Sequence, residues 1–184
     1  MTASHISNRN KGDAVEPVLE ADRASREIDP QAFKAVLGRF CSGVTVITAL
    51  DNGEPVGFAC QSFASLSIEP PLVSFFPART SSTWPRIRAA GKFCVNILAD
   101  DQTEICRQLG RPGADKFAGV EWTVSANGSP LLTGAMATIE CELHDEVDGG
   151  DHTIVIGRVT GLNEHSDAPP LLFYRAAFGR LANQ

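Results

Sequence analysis

The sequence predicts a mainly β domain: a small closed or nearly closed barrel of mostly antiparallel strands with a few short helices. Three observations carry this. From residue 137 to 147 apolar and polar residues alternate, which is the period of a half-buried antiparallel strand. Val44-Thr45-Val46-Ile47-Thr48 is β-branched throughout and is followed by Asp51-Asn52-Gly53 and a second apolar run, a hairpin signature. The regular strand–helix alternation that a doubly wound sheet requires is missing.

Residues 1–28 are polar, mixed in charge and aperiodic. They read as a flexible N-terminal arm, with a short helix near 17–26, ahead of one domain at 29–184. Asp29-Pro30 is a helix start, an N-cap aspartate followed by a first-turn proline. Phe33, Val36, Leu37 and Phe40 then recur at helical spacing and give one apolar face, with Gly43 ending the element. The β-branched run makes a buried strand, and residues 56–63 return as the second arm of its hairpin. Pro70-Pro71 leads into a third strand at 72–76. A short helix is expected at 82–90, where Pro85 fits only the first turn, and Gly91 stops it. A fourth strand at 93–98 precedes a helix capped by Asp100, carrying Ile105 and Leu109 and closed by Gly110.

Residues 116–124 read as a loop or short strand. On the alternating strand, Ala137, Ile139, Cys141, Leu143 and Val147 face one way; Thr138, Glu140, Glu142, His144 and Glu146 face the other. Asp148-Gly149-Gly150-Asp151 turns the chain, residues 152–160 return as its partner, and 170–174 form a last short strand.

Composition narrows the function. The chain has 184 residues, a formal charge of −6 and 43% hydrophobic residues. That is one domain with a sizeable core. No basic tract favours nucleic acid, no apolar run approaches a membrane span, and the start lacks the apolar centre of a secretory signal. Cys41, Cys60, Cys94, Cys106 and Cys141 are odd in number and widely spaced. They read as reduced thiols of a cytoplasmic protein, and Cys60 as a small buried residue rather than a nucleophile.

No dinucleotide GxGxxG or phosphate-loop motif occurs, nor a strained serine-nucleophile turn. Three segments carry chemistry. Gly57-Phe58-Ala59 and Gln61-Ser62-Phe63 offer small residues and backbone groups to a planar ligand. Arg79, Thr80, Ser81, Ser82 and Thr83 open a helix with hydroxyls and a guanidinium, an arrangement suited to phosphate. A hairpin and a capped helix without any ligand would look the same. His152 follows the Gly-Gly-Asp turn at the barrel rim, where it either binds a ligand or is an exposed turn histidine. Phe173-Tyr174-Arg175 suits a nucleotide's base and phosphates, or a terminal strand packing its aromatics inward. His144 and His152 lack a third partner at metal-ligand spacing.

Taken together, residues 33–40, Ser42 to Thr48, Gly57 to Phe63, Ser67-Ile68-Glu69-Pro70-Pro71-Leu72-Val73, Phe93-Cys94-Val95-Asn96, Asp115-Lys116-Phe117, Gly150-Asp151-His152 and Pro170 to Tyr174 resemble the short-chain flavin reductase family. Its members are reductase components of two-component flavin-dependent monooxygenases. The likeness covers about residues 29–181; the arm has no counterpart in it.

The resemblance implies an FMN-binding split β-barrel, Greek-key-like and homodimeric. It implies that Pro55, Val56, Gly57, Phe58, Ala59, Gln61 and Ser62 meet the flavin ring and ribityl chain. Phe76, Pro77, Ala78, Ser82 and Thr83 would follow the flavin tail and phosphates. His152, Phe173, Tyr174, Arg175 and Ala176 would meet the nicotinamide nucleotide, with His152 positioning it or assisting protonation. The implied activity is NADH:flavin oxidoreduction, with FAD favoured over FMN and reduced flavin passed to a monooxygenase acting on a phenolic ring. A pyridoxamine-phosphate-oxidase-like enzyme, a non-catalytic flavin-binding module and a small-molecule carrier barrel are the alternatives.

Overall fold

A computed structural model describes residues 27–113 and 115–182. The N-terminal arm, apart from its last two residues, lies outside the described residues. The chain begins with helix α1 (Pro30–Leu37), capped by the Asp29 carboxylate, which accepts from the Gln31 and Ala32 N–H groups. This helix ends at Gly38 rather than at Gly43; Ser42–Gly43 is already a short strand, β1. Its apolar face does not enter the core. Phe33, Val36, Leu37 and Phe40 are all exposed.

The barrel follows. Strands β2 (Thr45–Asp51) and β3 (Glu54–Cys60) form the expected hairpin, with Asn52 and Gly53 both at positive φ, as a two-residue primed turn requires. The second arm stops at Cys60; Gln61 and Ser62 leave the ladder to line a groove, and Phe63 packs against the core. A strand absent from the sequence reading, β4 (Ala64–Ser67), then pairs with β5 (Leu72–Phe75). Helix α2 (Trp84–Ala90) carries Pro85 in its first turn and ends at left-handed Gly91. After β6 (Lys92–Ile97) comes α3 (Thr103–Gly110), whose N-cap is Gln102, not Asp100. The Gln102 side chain accepts from the Ala99 N–H and donates to the Thr133 carbonyl, so it ties the entry of α3 to a distant loop. That loop belongs to a small hairpin, β7 (Trp122–Val124) and β8 (Pro130–Leu132).

Long strands β9 (Ala137–Gly149) and β10 (His152–Glu164) form the second large hairpin, and β11 (Leu172–Tyr174) and β12 (Ala177–Gly179) a third. The main sheet runs β3-β2-β6-β9-β10-β5-β4 and is antiparallel throughout. It wraps around one core in which Ile47, Val56, Phe75, Phe93, Val95, Cys141 and Val155 meet Trp84 and Ile87 of α2. Among the described residues its edge strands β3 and β4 do not pair with each other, although the Phe58 and Phe75 rings approach to 6.2 Å from β3 and β5. The barrel is split along that seam.

A second core under α3 holds Val46, Leu98, Leu109 and Leu171. Strand β2 therefore buries both faces, Val46 to one core and Ile47 to the other. That is why its sequence is continuously β-branched rather than alternating.

The alternation on β9 is misleading in two places. Thr138 and Glu140 were expected on the solvent side but are buried. The 125–129 turn covers Glu140, whose carboxylate accepts a 2.6 Å bond from the Asn127 N–H. Beyond Leu143 the register shifts at His144, so Gly157 pairs with Leu143 while Ile156 pairs with Asp145. A bulge reverses side-chain parity. Glu146 thus turns toward the core and accepts the Trp84 indole N–H at 2.9 Å, while Val147 is left exposed.

Candidate active site

A groove of about 1110 Å³ opens at the split seam. Its floor is the end of β3, Phe58 to Cys60, continuing into Gln61 and Ser62. One wall is the segment after β5, from Phe76 to Thr83. The β9–β10 turn supplies Asp151, His152 and Ile154 to the rim. The end of α3 adds Gly110 and Arg111, and α1 adds Phe33, Lys34 and Leu37.

The structure therefore brings Phe58, Ala59, Gln61, Ser62, Phe76, Pro77, Ala78, Ser82, Thr83 and His152 to one groove. Pro55, Val56 and Gly57 line an adjoining pocket that shares Ser82, Thr83 and Lys116 with it. Phe173 lines another, which shares Ala59, Gln61 and Arg111 with the groove. There it packs edge-on against Phe178, with ring centroids 5.5 Å apart. Tyr174, Arg175 and Ala176 line none of these three spaces. Arg175 and Ala176 form the positive-φ turn between β11 and β12.

Several side chains have duties the sequence did not disclose. Ser62 Oγ accepts from the Phe76 N–H at 3.0 Å and also contacts the Phe76 carbonyl and the Cys60 sulfur. It fastens the floor to the wall. Ser81, rather than Thr83, caps α2 by accepting from the Thr83 and Trp84 N–H groups. A Cβ on Gly57 would fall 2.9 Å from the Ile47 carbonyl and 3.3 Å from the Phe117 ring. Close packing against Ile47 and Phe117 by itself requires a glycine here. Arg79, read from sequence as a phosphate cation, is instead paired with Asp148 at 2.6 Å. Burial holds the Cys60 thiol above its ordinary pKa, which leaves it protonated and no nucleophile.

Lys116, which from sequence reads only as the start of a loop or short strand, ties three segments together. Its ammonium donates to the Leu109 carbonyl at 3.2 Å, to Thr83 Oγ1 at 3.3 Å and to the Gly57 carbonyl at 3.5 Å. It joins the C-terminus of α3, the strand β3 and the wall before α2. Partial burial lowers its pKa. The signal available in sequence was Asp115-Lys116-Phe117 itself, which gives no hint of those three distant acceptors.

His152 is held from two sides. Backbone bonds from the Arg79 N–H to the Asp151 carbonyl (2.9 Å) and from the Thr153 N–H to the Pro77 carbonyl (3.0 Å) stitch the rim to the wall. Its Nδ1 lies 2.7 Å from Asp151 Oδ1. The hydrogen bond from His152, and the ring's charge when it is protonated, hold the Asp151 carboxyl below the usual aspartate range. An ionised carboxylate can only accept, so Nδ1 carries the proton and Nε2 is left for a partner in the groove. The Thr80 and Ser82 N–H groups have no backbone acceptor among the described residues, and both residues line the groove wall.

Known proteins share this sequence pattern and fold. The model of the flavin reductase like domain matches residues 37–182. The reductase subunit HsaB of a flavin-dependent monooxygenase from Rhodococcus jostii is 54% identical over 155 residues, 84% of this chain and 80% of that protein. The crystal structure of a nitrilotriacetate monooxygenase component B homologue from Mycobacterium thermoresistibile superposes with a TM-score of 0.80 at 49% identity, covering 83% of this chain and 86% of that one. An NADH:FAD oxidoreductase from Streptomyces globisporus, in complex with NAD and FAD fragments, gives 0.79 at 34% identity over 84% and 96%. The split barrel, the groove at its seam and a family match from residue 37 to 182 make this chain a member of the flavin reductase family.

Proposed function

We propose that this protein is an NADH:flavin oxidoreductase that reduces FAD, with FMN as the lesser substrate, and supplies free reduced flavin to a monooxygenase acting on an aromatic or phenolic substrate. The observation that carries the reading is the single groove that holds Phe58 to Ser62 and the 76–83 wall on one side and His152 on the other. One flavin ring and one nicotinamide ring must share a space, and of the implied nicotinamide half-site His152 lies on this groove, which supports the reading.

The residues present fit such ligands. Ala59 and Ala78 leave room for a flat ring, and Phe58 and Phe76 give it apolar edges. The unengaged Thr80 and Ser82 N–H groups and neighbouring hydroxyls suit phosphate oxygens. Bound nicotinamide and flavin supply the hydride chemistry between them. The protein's part is to orient them and exclude water. His152 would present Nε2 to the nicotinamide nucleotide, its ring angle and tautomer set by Asp151. Ser62 and Lys116 keep floor, wall and α3 in register beneath the ring. Among the described residues hydroxyls rather than unpaired cations line the 76–83 wall, which favours release of the reduced flavin.

A homodimer in the cytoplasm is part of this reading. Among the described residues no helix is long and apolar enough to cross a membrane.

The test is NADH oxidation by the purified protein with free FAD or FMN. Catalytic loss of NADH absorbance, faster with FAD, is expected. Absence of turnover with both flavins and with both NADH and NADPH would overturn the assignment.

A further inference from the structure

Helix α1 lies almost wholly ahead of the part matched by the family model, which begins at residue 37, yet it forms a wall of the groove through Phe33, Lys34 and Leu37. No residue of the helix is buried; Phe33 is 53% exposed. It is nonetheless anchored, since the carbonyl of Gly38 accepts from the Arg175 N–H at 2.9 Å. An eight-residue helix with a bare apolar face gains little from propensity alone, so this wall is built to meet something.

The charges on that side are informative. Arg79, Arg86, Arg88, Arg107 and Arg180 are each paired with a carboxylate. Among the described residues Lys34 and Arg111, both on the groove, are in no salt bridge. The Lys116 ammonium is already committed to three acceptors. The acid lining the groove, Asp151, is engaged by His152. Lys34 and Arg111 thus lie on the groove as cations without a carboxylate, on the same lining as the exposed Phe33 ring. The groove volume, about 1110 Å³, also exceeds the roughly 300–1,000 Å³ of an ordinary small-ligand pocket.

We propose that Phe33, Lys34 and Arg111 form a subsite for an adenosine diphosphate moiety, the base resting on Phe33 and the pyrophosphate between the two cations. Guanidinium and ammonium groups suit pyrophosphate oxygens, and an aromatic face accepts any base by stacking. A flavin mononucleotide with its ring on the 58–62 floor and its phosphate at 80–83 would leave this wall unused. FAD and NADH both carry the moiety. The inference rests on the groove being a flavin and nicotinamide site.

The test compares dinucleotide with mononucleotide. Lys34→Ala, Arg111→Ala and Phe33→Ala proteins are titrated with FAD and FMN by flavin fluorescence, and with NADH and reduced nicotinamide mononucleotide by calorimetry. One dinucleotide is expected to lose about three- to fivefold in affinity relative to its mononucleotide, the size of one exposed charge contact. Loss confined to FAD assigns the subsite to the flavin's adenosine; loss confined to NADH assigns it to the reductant's. Equal weakening of both members of a pair, or of neither, overturns the proposal. So does a Phe33→Ala protein that changes oligomeric state with an unaltered ratio, since a second copy would then cover α1. Wild-type protein that binds no flavin overturns the reading of the groove as well, whereas wild-type turnover with unaltered ratios in the variants overturns the subsite alone.

Discussion

Arg79 and Asp148 are 69 residues apart in sequence, and their side chains meet at 2.6 Å. The pair ties the wall after β5 to the turn that carries His152. Both side chains are largely exposed, so solvent screens the attraction and its direct contribution is small. Geometry is the larger effect. The backbone bonds from Thr153 to Pro77 and from Arg79 to Asp151 already fix the two segments, and the ion pair closes the turn over them.

Acid should loosen this corner. The Gly150 N–H, then the bond and charge of Arg79, hold the Asp148 carboxyl below its ordinary range, as His152 does for Asp151. A depressed carboxylate contributes stability that is complete above its unfolded pKa, about 3.9, and lost as pH falls through the folded value. Thermal melts of an Asp148→Asn/Asp151→Asn protein should therefore fall less steeply below that pH than those of the wild type. Parallel curves would show that other carboxylates set the acid limb.

His152→Ala should slow flavin reduction or raise the KM for NADH while flavin affinity in the absence of NADH holds, because His152 sits at the rim and the floor residues are untouched. Asp151→Asn should act in the same direction but less. An amide can donate to Nδ1 and so permits the other tautomer. Stopped-flow reduction and flavin fluorescence titration separate the two effects; unchanged reduction in His152→Ala would remove its assigned role.

Gly57→Ala tests whether that glycine serves packing or ligand. The new Cβ would press on the Ile47 carbonyl and Phe117, and overpacking of this kind costs about 1–3 kcal/mol. A lowered Tm is expected, with a raised flavin KM following from displacement of the loop that bears Lys116. A weaker flavin KM with full thermal stability would instead mean that the Cβ meets ligand.

Asn96 should matter for stability without touching the groove. Wholly buried, it donates to the Val46 carbonyl and Thr48 Oγ1 and accepts from the Leu132 N–H at 2.8 Å. Truncation in Asn96→Ala orphans the Leu132 donor, and such a buried group costs about 1–3 kcal/mol. Denaturant unfolding should show that loss with the flavin Kd retained.

Legibility in the sequence followed the range of the forces involved. Local chemistry was readable: the Asp29 cap, the Asn52-Gly53 turn, the Pro85 and Gly91 limits of α2 and the β-branched face pair of β2 all stand where the residues place them. What depended on distant chain was not. The bulge at His144, the burial of Thr138 and Glu140, the exposure of Phe33 and Leu37, and the partners of Arg79 and Lys116 each turn on a segment far away in sequence. Of the residues the family resemblance singles out, Phe58, Ala59, Gln61, Ser62, Phe76, Pro77, Ala78, Ser82, Thr83 and His152 line one groove. Tyr174, Arg175 and Ala176 did not join them, because the β11–β12 turn carries them away.

The backbone stitching between Pro77 and Thr153 and between Arg79 and Asp151 has an evolutionary consequence. Main-chain bonds are indifferent to the side chains they pass between, proline at the donor excepted. Substitutions along the wall and rim can therefore change the chemistry of the groove lining without altering the separation between the two segments. Such a frame lets the lining of the groove vary while its width is inherited intact.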